Sequence, residues 1–311
     1  MDIKQVVIWG HKLHTHTHSY IHNAFYKTYT HLGYKTIWLN NNDNINDIDF
    51  SNTLFLTEGQ VDNRIPIRKD SYYILHNCNL DKYNTIPKSN ILIIQVYSKD
   101  VIKRNESKIG EFIHYNQSIN NESYSVLYMP WATDLLPEEI NINILNIDNI
   151  KIKREINFIG CETPEWNLVR NFCNVNNIVY NSCGGFQKNV DTLTNEKLIK
   201  QSFIAPAIQT AWQVDNGYIP CRIFKNISYG RMGVTNNNTV FELFKKSIVY
   251  HPNINTCLKM AINFENNTNE YKKNIIIPLM CDVRENHTYI NRIQTIFDCF
   301  MKQIKTEQKI K

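Results

Sequence analysis

The sequence lacks the long apolar runs and paired cysteines that mark several large classes of protein. No stretch approaches the ~18 consecutive apolar residues of a membrane-spanning helix, and the N-terminal apolar run is too short for a secretory signal peptide. The eight cysteines are scattered, and no two have C-x-x-C spacing, which counts against a zinc knuckle and a disulfide framework. We therefore expect a reduced, cytoplasmic protein without a transmembrane segment.

Two common nucleotide-binding signatures are also missing. No G-x-G-x-x-G follows the first predicted strand, which counts against an NAD-dependent dehydrogenase, and no P-loop occurs, which counts against an NTPase. The net charge of +5 is too small to indicate a nucleic-acid-binding protein, although it favours ligands that carry phosphate.

The first half of the chain alternates strand and helix patterns. An apolar run over 5–10 predicts a buried strand, helical spacing of apolar residues over 19–32 predicts a helix, and 34–39 predicts a second strand. A strand, helix and strand in this order imply a parallel sheet. Further strands are predicted over 52–59, 71–77, 90–97 and 124–131. This is the pattern of a doubly wound, Rossmann-like α/β domain.

The second half repeats the strand-rich start after a change in composition. Residues 141–153 lack clear periodicity and are predicted to be a linker, and 155–161 is again an apolar run that ends in glycine. Near the end, apolar residues over 290–304 share one helical face. We predict two Rossmann-like α/β domains, 1–145 and 146–311, with a C-terminal helix.

The segment GYIPCRIFKNISYGRMGVTNN (217–237) has the features of an anion-binding helix. Pro220 fits the first turn of a helix and Gly230 its end. Arg222 and Lys225 then lie near the helix N-terminus, where the dipole and the free N–H groups favour an anion such as a diphosphate. Polar residues follow at the end of the next predicted strand, and these are Thr235, Asn236 and Asn237. The alternative is a surface helix with two solvated cations.

This segment resembles the donor-binding helix of GT-B glycosyltransferases, which has the form R-x-F/L-E-x-x-x-x-G and is followed by a strand and a small or polar loop. The two-domain pattern and the terminal helix resemble the same family over nearly the whole chain. The resemblance implies a glycosyltransferase whose two Rossmann-like domains face each other across a cleft. It implies that Arg222 contacts the donor diphosphate, with Lys225 in the same helix and 235–237 close by. A nucleotide sugar would be the co-substrate, and no other cofactor is expected.

One position departs from that pattern. Lys225 stands where many retaining members have an acidic residue that binds the donor ribose, so the resemblance favours inversion slightly. The same departure supports an alternative, in which the chain is a non-catalytic GT-B module that binds a glycan or a nucleotide. The helix is also similar to that of fucosyltransferases, in which a tyrosine precedes a basic residue. This likeness adds Tyr218 to the donor residues and keeps GDP-linked donors open beside UDP-linked ones.

The stretch HKLHTHTHSYIH (11–22) carries five histidines directly after the first predicted strand. In the GT-B plan this loop contacts the acceptor, a glycan or glycolipid, and inverting members often place a general base there. Such a base needs a pKa near neutrality, which histidine has. His16 and His18 are the predicted catalytic residues. The predicted acceptor-side residues are His14, Glu58 and Asn77, whereas His11 and His22 are predicted to be surface or packing residues. The alternative is that all these histidines are structural or solvated.

A metal site is a rival interpretation of the same loop. LHTHTHS is similar to the H-x-H-T opening of PHP-type and amidohydrolase metal enzymes, in which alternate side chains of a strand share one metal. That family needs further ligands at later strand ends, and only His76 stands at such a position. The preferred interpretation has no metal, and cations and amide groups hold the donor diphosphate.

Overall fold

The computed structural model of the protein describes residues 1–12, 17–97, 113–119, 122–183 and 190–310. Contacts between residues divide the chain into two compact units. The first contains most residues up to Met129 together with Tyr289–Lys311, and the second contains Pro130–Thr288. This division differs from the predicted limits 1–145 and 146–311, because it falls earlier in the chain and groups the C-terminal helix with the first unit.

The first unit is built on one sheet of mostly parallel strands. The strands are β1 (Gln5–Trp9), β2 (Thr36–Leu39), β3 (Thr53–Glu58), β4 (Tyr72–His76), β5 (Ile91–Gln95), β6 (Ile113–Ile119) and β7 (Glu122–Tyr128). Their order is β2-β1-β3-β4-β5-β7-β6, and β6 pairs with β7 in the antiparallel direction whereas the other neighbours are parallel. The helices of this unit are α1 (Thr17–His31) and, at the end of the chain, the helix over Tyr289–Ile310.

The buried strands explain why this part of the sheet could be predicted. All residues of β1 and β3 are buried, as expected for central strands of a parallel sheet that is covered on both faces. The order β2-β1-β3-β4-β5 is that of flavodoxin-like sheets, in which the chain reverses direction across the sheet between β1 and β3. Ligands of such folds bind at the carboxyl ends of the strands on either side of that point. The predicted strands of this sheet are confirmed, whereas β6 was not predicted.

The second unit contains two small parallel sheets and most of the helices. The strands are β8 (Glu155–Ile159) paired with β9 (Val179–Cys183), and β10 (Pro206–Ala207), β11 (Val234–Thr235) and β12 (Val249–Tyr250) in one sheet. The helices are α2 (Pro137–Leu145), α3 (Trp166–Val175), α4 (Thr192–Gln201), α5 (Ala211–Asp215), α6 (Cys221–Ser228), α7 (Asn238–Leu243), α8 (Ile254–Glu265) and α9 (Asn269–Asn286), and the C-terminal helix of the first unit is then α10.

The helix α6 forms where the sequence predicts it. Its apolar residues Ile223, Phe224 and Ile227 are fully buried in the core of the second unit. Pro220 is its N-cap, and Gly230 follows its end with φ +86°, a conformation that favours glycine.

Two elements of the second unit differ from the predictions. The predicted linker over 141–153 is wrong, because α2 continues to Leu145 and a 3₁₀ turn covers Ile147–Asn149. Asn143 is buried and donates a hydrogen bond to the backbone carbonyl of Ser228, which fixes α2 to the end of α6. The helix α9 was not predicted, since Pro278 interrupts its sequence pattern.

No helix within the described residues combines the length and the apolar character that crossing a bilayer requires.

Candidate functional site

The carboxyl end of β1 places a histidine inside the first unit. Gly10 follows β1 with φ +90°, and His11 has φ +55°, so the chain turns sharply at the end of the strand. A Cβ atom on Gly10 would overlap the side chain of Val61, so this turn requires glycine. The turn brings His11 to Glu58 at the end of the neighbouring strand β3, and both side chains are buried.

His11 and Glu58 form a close pair. The distance between His11 Nε2 and Glu58 Oε2 is 3.0 Å, and the backbone N–H of Gln60 donates to the same carboxylate oxygen at 3.1 Å. Burial by itself raises the pKa of Glu58, but the hydrogen bonds from His11 and Gln60 outweigh it and lower that pKa below its ordinary value. The carboxylate is therefore ionised at neutral pH.

Three more histidines surround this pair. The ring of His18, in the first turn of α1, stacks on the ring of His11 at 5.5 Å, and its centroid lies 5.4 Å from that of His76. His22 lies one turn further along α1 and donates from Nδ1 to the backbone carbonyl of Gly10 at 2.9 Å. Burial lowers the pKa of His22 to about 3, so this ring is neutral.

Not all of the site residues predicted for the first unit lie in the histidine cluster. His18 and Glu58 lie in the cluster of His11, His18, His22, His76 and Glu58, whereas His14 and His16 lie outside the described residues. Asn77 is exposed beside the cluster and donates to His76 Nε2 at 3.1 Å. Of the two roles predicted for His11, surface or packing, the structure fits the second, because His11 is buried and contacts Glu58. Its position directly after the glycine that ends β1 is the signal that could have identified it.

In the second unit, Arg222 extends from the first turn of α6 toward the end of β8. Its guanidinium donates from Nη2 to the backbone carbonyl of Ile159 at 3.0 Å and lies over the Phe158 ring at 4.4 Å. Gly160 has φ +142°, and a Cβ atom there would lie 2.7 Å from Nη2 of Arg222. Burial lowers the pKa of Arg222, and no carboxylate among the described residues offsets this effect.

Lys225 has a different environment, although it lies one turn further along α6. Its ammonium group is 3.1 Å from Asp134 Oδ2, and both side chains are largely buried. The Tyr229 hydroxyl also donates to Asp134, at 2.7 and 2.9 Å from the two carboxylate oxygens. The charge of Lys225 is therefore compensated within the unit.

The predicted loop after β11 contains a network of side-chain hydrogen bonds. Asn236 exchanges two hydrogen bonds of 2.9 Å with the backbone N–H and carbonyl of Gln209. Asn237 donates to the Gln209 side chain at 2.9 Å and to the Tyr218 carbonyl at 3.0 Å, and it caps α7 through the N–H of Thr239. The buried Thr235 hydroxyl accepts from the N–H of Asn237. These groups fix the shape of the loop and bring Tyr218 next to it.

The sequence contains one D-x-D spacing, Asp47 to Asp49, which metal-dependent GT-A glycosyltransferases use. It lies on an exposed loop before β3. The Asp49 carboxylate accepts hydrogen bonds of 2.9 and 2.7 Å from the N–H and hydroxyl of Ser51. This carboxylate therefore stabilises a turn, which gives the spacing a structural explanation.

Comparisons with known proteins identify a fold and no sequence family. No protein-family model and no curated protein matches the chain. Among solved structures, the chain is similar to the N-terminal domain of trehalose-6-phosphate phosphatase from Candida albicans, with a TM-score of 0.52 and 9% identity over 96% of this chain and 97% of that one. An α1,3-fucosyltransferase matches with a TM-score of 0.39 and 11% identity over 91% of each chain. The first similarity concerns the fold alone and agrees with a Rossmann-like α/β architecture.

Proposed function

We propose that the chain is a glycosyltransferase that moves a sugar from a UDP- or GDP-linked donor to a hydroxyl of a glycan or glycolipid acceptor. The donor diphosphate binds to the second unit at Arg222, without a metal at that position. Two observations support this proposal, the sequence resemblance of α6 to a donor-binding helix and the environment of the Arg222 side chain.

The environment of Arg222 is the observation that carries the proposal. A cation that is withdrawn from water without a neighbouring carboxylate is unfavourable unless a ligand supplies the negative charge. Arg222 is half-buried, so part of this residue is exposed to solvent. The first turn of α6 adds the positive end of the helix dipole, and no side chain among the described residues caps this turn. Arginine binds phosphate oxygens through two parallel N–H groups, which suits a diphosphate.

The residues next to Arg222 help to position its side chain. Phe158 lies under the guanidinium and Gly160 leaves space beside it, so the side chain is held in one orientation. Lys225 is paired with Asp134, so we assign it the role of fixing α6 and assign the diphosphate to Arg222. In this proposal, Tyr218 and the loop 235–237 form the wall of the donor site.

On the acceptor side, the histidines of the first unit supply the groups that can accept a proton. The acceptor hydroxyl has to lose its proton as it attacks the sugar, and imidazole is suited to this role near neutral pH. His18 is half-buried at the start of α1, and it remains our candidate base together with His16. Glu58 and Asn77 lie beside His18 and His76, where they can orient an acceptor.

The test is a nucleotide-binding panel on the whole chain. Thermal shifts with UDP, GDP and CMP, each with and without EDTA, are measured for the unmodified protein, for Arg222→Gln and for Arg154→Gln. Arg154 is the matched control, because it is an exposed arginine of the same unit that also lies over a phenylalanine ring.

We expect one nucleotide to raise the melting temperature of the unmodified protein and of Arg154→Gln, independently of EDTA. A ligand at 100 times its Kd adds about 2.7 kcal/mol, which corresponds to a shift of roughly 5 °C. Arg222→Gln should lose this shift. An equal shift in Arg222→Gln, or the absence of any nucleotide shift in the unmodified protein, would refute the proposal.

A further inference from the structure

We propose that the first unit binds a divalent transition-metal ion of the zinc type through His11, His18 and Glu58. The potential ligand atoms of these three side chains all lie within 4.8 Å of one another. The site lies at the carboxyl ends of β1 and β3, on either side of the reversal in strand order, where such sheets bind ligands. The GT-B resemblance and the proposed donor site assign no metal to these residues, and the rival H-x-H-T interpretation places its metal at His14 and His16, without His11 or Glu58.

The spacing of His11 and Glu58 suits a shared metal. Two ligand atoms at about 2.0–2.1 Å from zinc are about 3.3 Å apart in tetrahedral geometry. The observed distance between His11 Nε2 and Glu58 Oε2 is 3.0 Å, so an ion between them requires a movement of a few tenths of an ångström. His18 stacks on His11, which brings a second imidazole to the same position.

The ligand types indicate which ions the site would take. Two imidazoles and one carboxylate form a mixed nitrogen and oxygen set that suits zinc and similar transition metals better than magnesium or calcium. Three protein ligands leave at least one coordination position open, as in catalytic zinc sites. An ion of this kind lowers the pKa of a bound water or hydroxyl group toward neutrality.

The surroundings hold the ligands in place. The N–H of Gln60 donates to the Glu58 carboxylate and fixes its orientation. His11 has a left-handed backbone conformation, which is unfavourable for a residue with a side chain and persists only where the surrounding structure requires it. His22 and His76 each donate from Nδ1 to a backbone carbonyl, so both rings have fixed orientations next to the proposed ligands.

The inference uses the first unit alone and does not depend on Arg222 or on a nucleotide. It changes the role of His18, which becomes a ligand when the ion is bound. The failure of one proposal would therefore leave the other standing, because metal binding and nucleotide binding are measured separately.

The test uses the whole chain without an affinity tag that contains histidine. The protein is treated with a chelator, returned to chelator-free buffer and titrated with Zn²⁺ in competition with a chromophoric chelator. Co²⁺ is then used as a spectroscopic probe of nitrogen and oxygen coordination. The ligand variants are His11→Ala, His18→Ala and Glu58→Gln. His31→Ala is the matched control, because His31 is an exposed histidine at the other end of α1.

A second set of variants separates this site from the rival H-x-H loop. His14→Ala and His16→Ala remove the two histidines that the rival interpretation requires, and they leave all three proposed ligands in place. Far-UV circular dichroism of each metal-free variant shows whether it still folds.

We expect one Zn²⁺ per chain and a visible Co²⁺ spectrum in the unmodified protein. Each ligand variant should weaken Zn²⁺ binding by about 100-fold or more, whereas His31→Ala, His14→Ala and His16→Ala should retain it. The inference fails if the folded Glu58→Gln and His11→Ala variants bind Zn²⁺ as the unmodified protein does. It also fails if Zn²⁺ binding is absent, or if only the His14 and His16 variants lose it.

Discussion

Removing the charge of Lys225 should lower the stability of the chain, whereas removing the charge of Arg222 should lower its affinity for the nucleotide. Lys225 is paired with the largely buried Asp134, whereas no carboxylate among the described residues pairs with Arg222. Replacing either residue by methionine keeps much of its apolar stem and removes the charge. The change therefore compares a compensated buried charge with an uncompensated one on the same helix.

Lys225→Met leaves Asp134 buried, with the Tyr229 hydroxyl as a remaining partner. Breaking a buried ion pair on one side costs about 3–5 kcal/mol, and the retained hydrogen bonds favour the lower end of that range. At about 2 °C per kcal/mol or more, the melting temperature should fall by roughly 6 °C. Nucleotide affinity below that temperature should change little, since the diphosphate is assigned to Arg222.

Arg222→Met has compensating effects on stability. It loses a cation–π contact worth about 0.5–2 kcal/mol and leaves the Ile159 carbonyl without its donor, at about 1–3 kcal/mol. It also removes the desolvation cost of an unpaired charge, which is several kcal/mol. The net change in the free energy of unfolding should therefore be close to zero. Nucleotide affinity should fall by about 10–100-fold, as expected for the loss of a charged hydrogen-bond donor.

The assay combines thermal unfolding with isothermal titration of the preferred nucleotide. Lys246→Met is the control for charge alone, because Lys246 pairs with Glu242 on the surface and its side chain is 64% exposed. This variant should change neither quantity. If Arg222→Met destabilises the chain as much as Lys225→Met and leaves nucleotide binding intact, Arg222 is a structural cation and the donor site is wrong.

Three further predictions address other parts of the chain. Gly160→Ala places a Cβ atom 2.7 Å from Arg222 Nη2, so it should weaken nucleotide binding in isothermal titration, and unchanged affinity would contradict this geometry. Glu265→Ala removes the partner of the buried Arg231 and should lower the free energy of unfolding in urea by about 3–5 kcal/mol, whereas an unchanged urea midpoint would show that the pair contributes nothing. Burial raises the pKa of Cys257 to about 11, so iodoacetamide should leave this thiol unmodified in the folded chain at mildly alkaline pH and modify it after unfolding. Peptide mass spectrometry measures the modification, and labelling of Cys257 in the folded chain would contradict its burial.

The sequence could predict the strands and the helix α6 because these depend on local patterns. Residues 6–9 of β1 form a continuous apolar run, and α6 carries its apolar residues on one face between Pro220 and Gly230. The C-terminal helix α10 was predicted as well, because apolar residues over 290–304 recur on one helical face. Where the pattern is interrupted, as at Pro278 in α9, the prediction failed.

The pairings in the candidate sites could not be predicted in the same way. His11 and Glu58 are 47 residues apart, and they meet only because β1 and β3 are neighbours in the sheet. The pairing of Lys225 with Asp134 likewise depends on how α6 packs within the second unit. Sequence reasoning identified Lys225 and Glu58 as candidates, but it could not determine which charges are already compensated.

The same backbone feature supports both candidate sites. A buried parallel strand ends in a glycine with positive φ in each unit, Gly10 after β1 and Gly160 after β8. A Cβ atom on Gly10 would overlap Val61 in the turn that directs His11 toward Glu58, and one on Gly160 would crowd Arg222. Since ligands of parallel sheets bind at the carboxyl ends of the strands, a missing side chain there leaves space for a neighbouring polar group. Gly10→Ala should therefore disturb Zn²⁺ binding and leave nucleotide binding unchanged. Gly160→Ala should weaken nucleotide binding and leave Zn²⁺ binding unchanged. A glycine variant that alters both would show that the two sites are not independent.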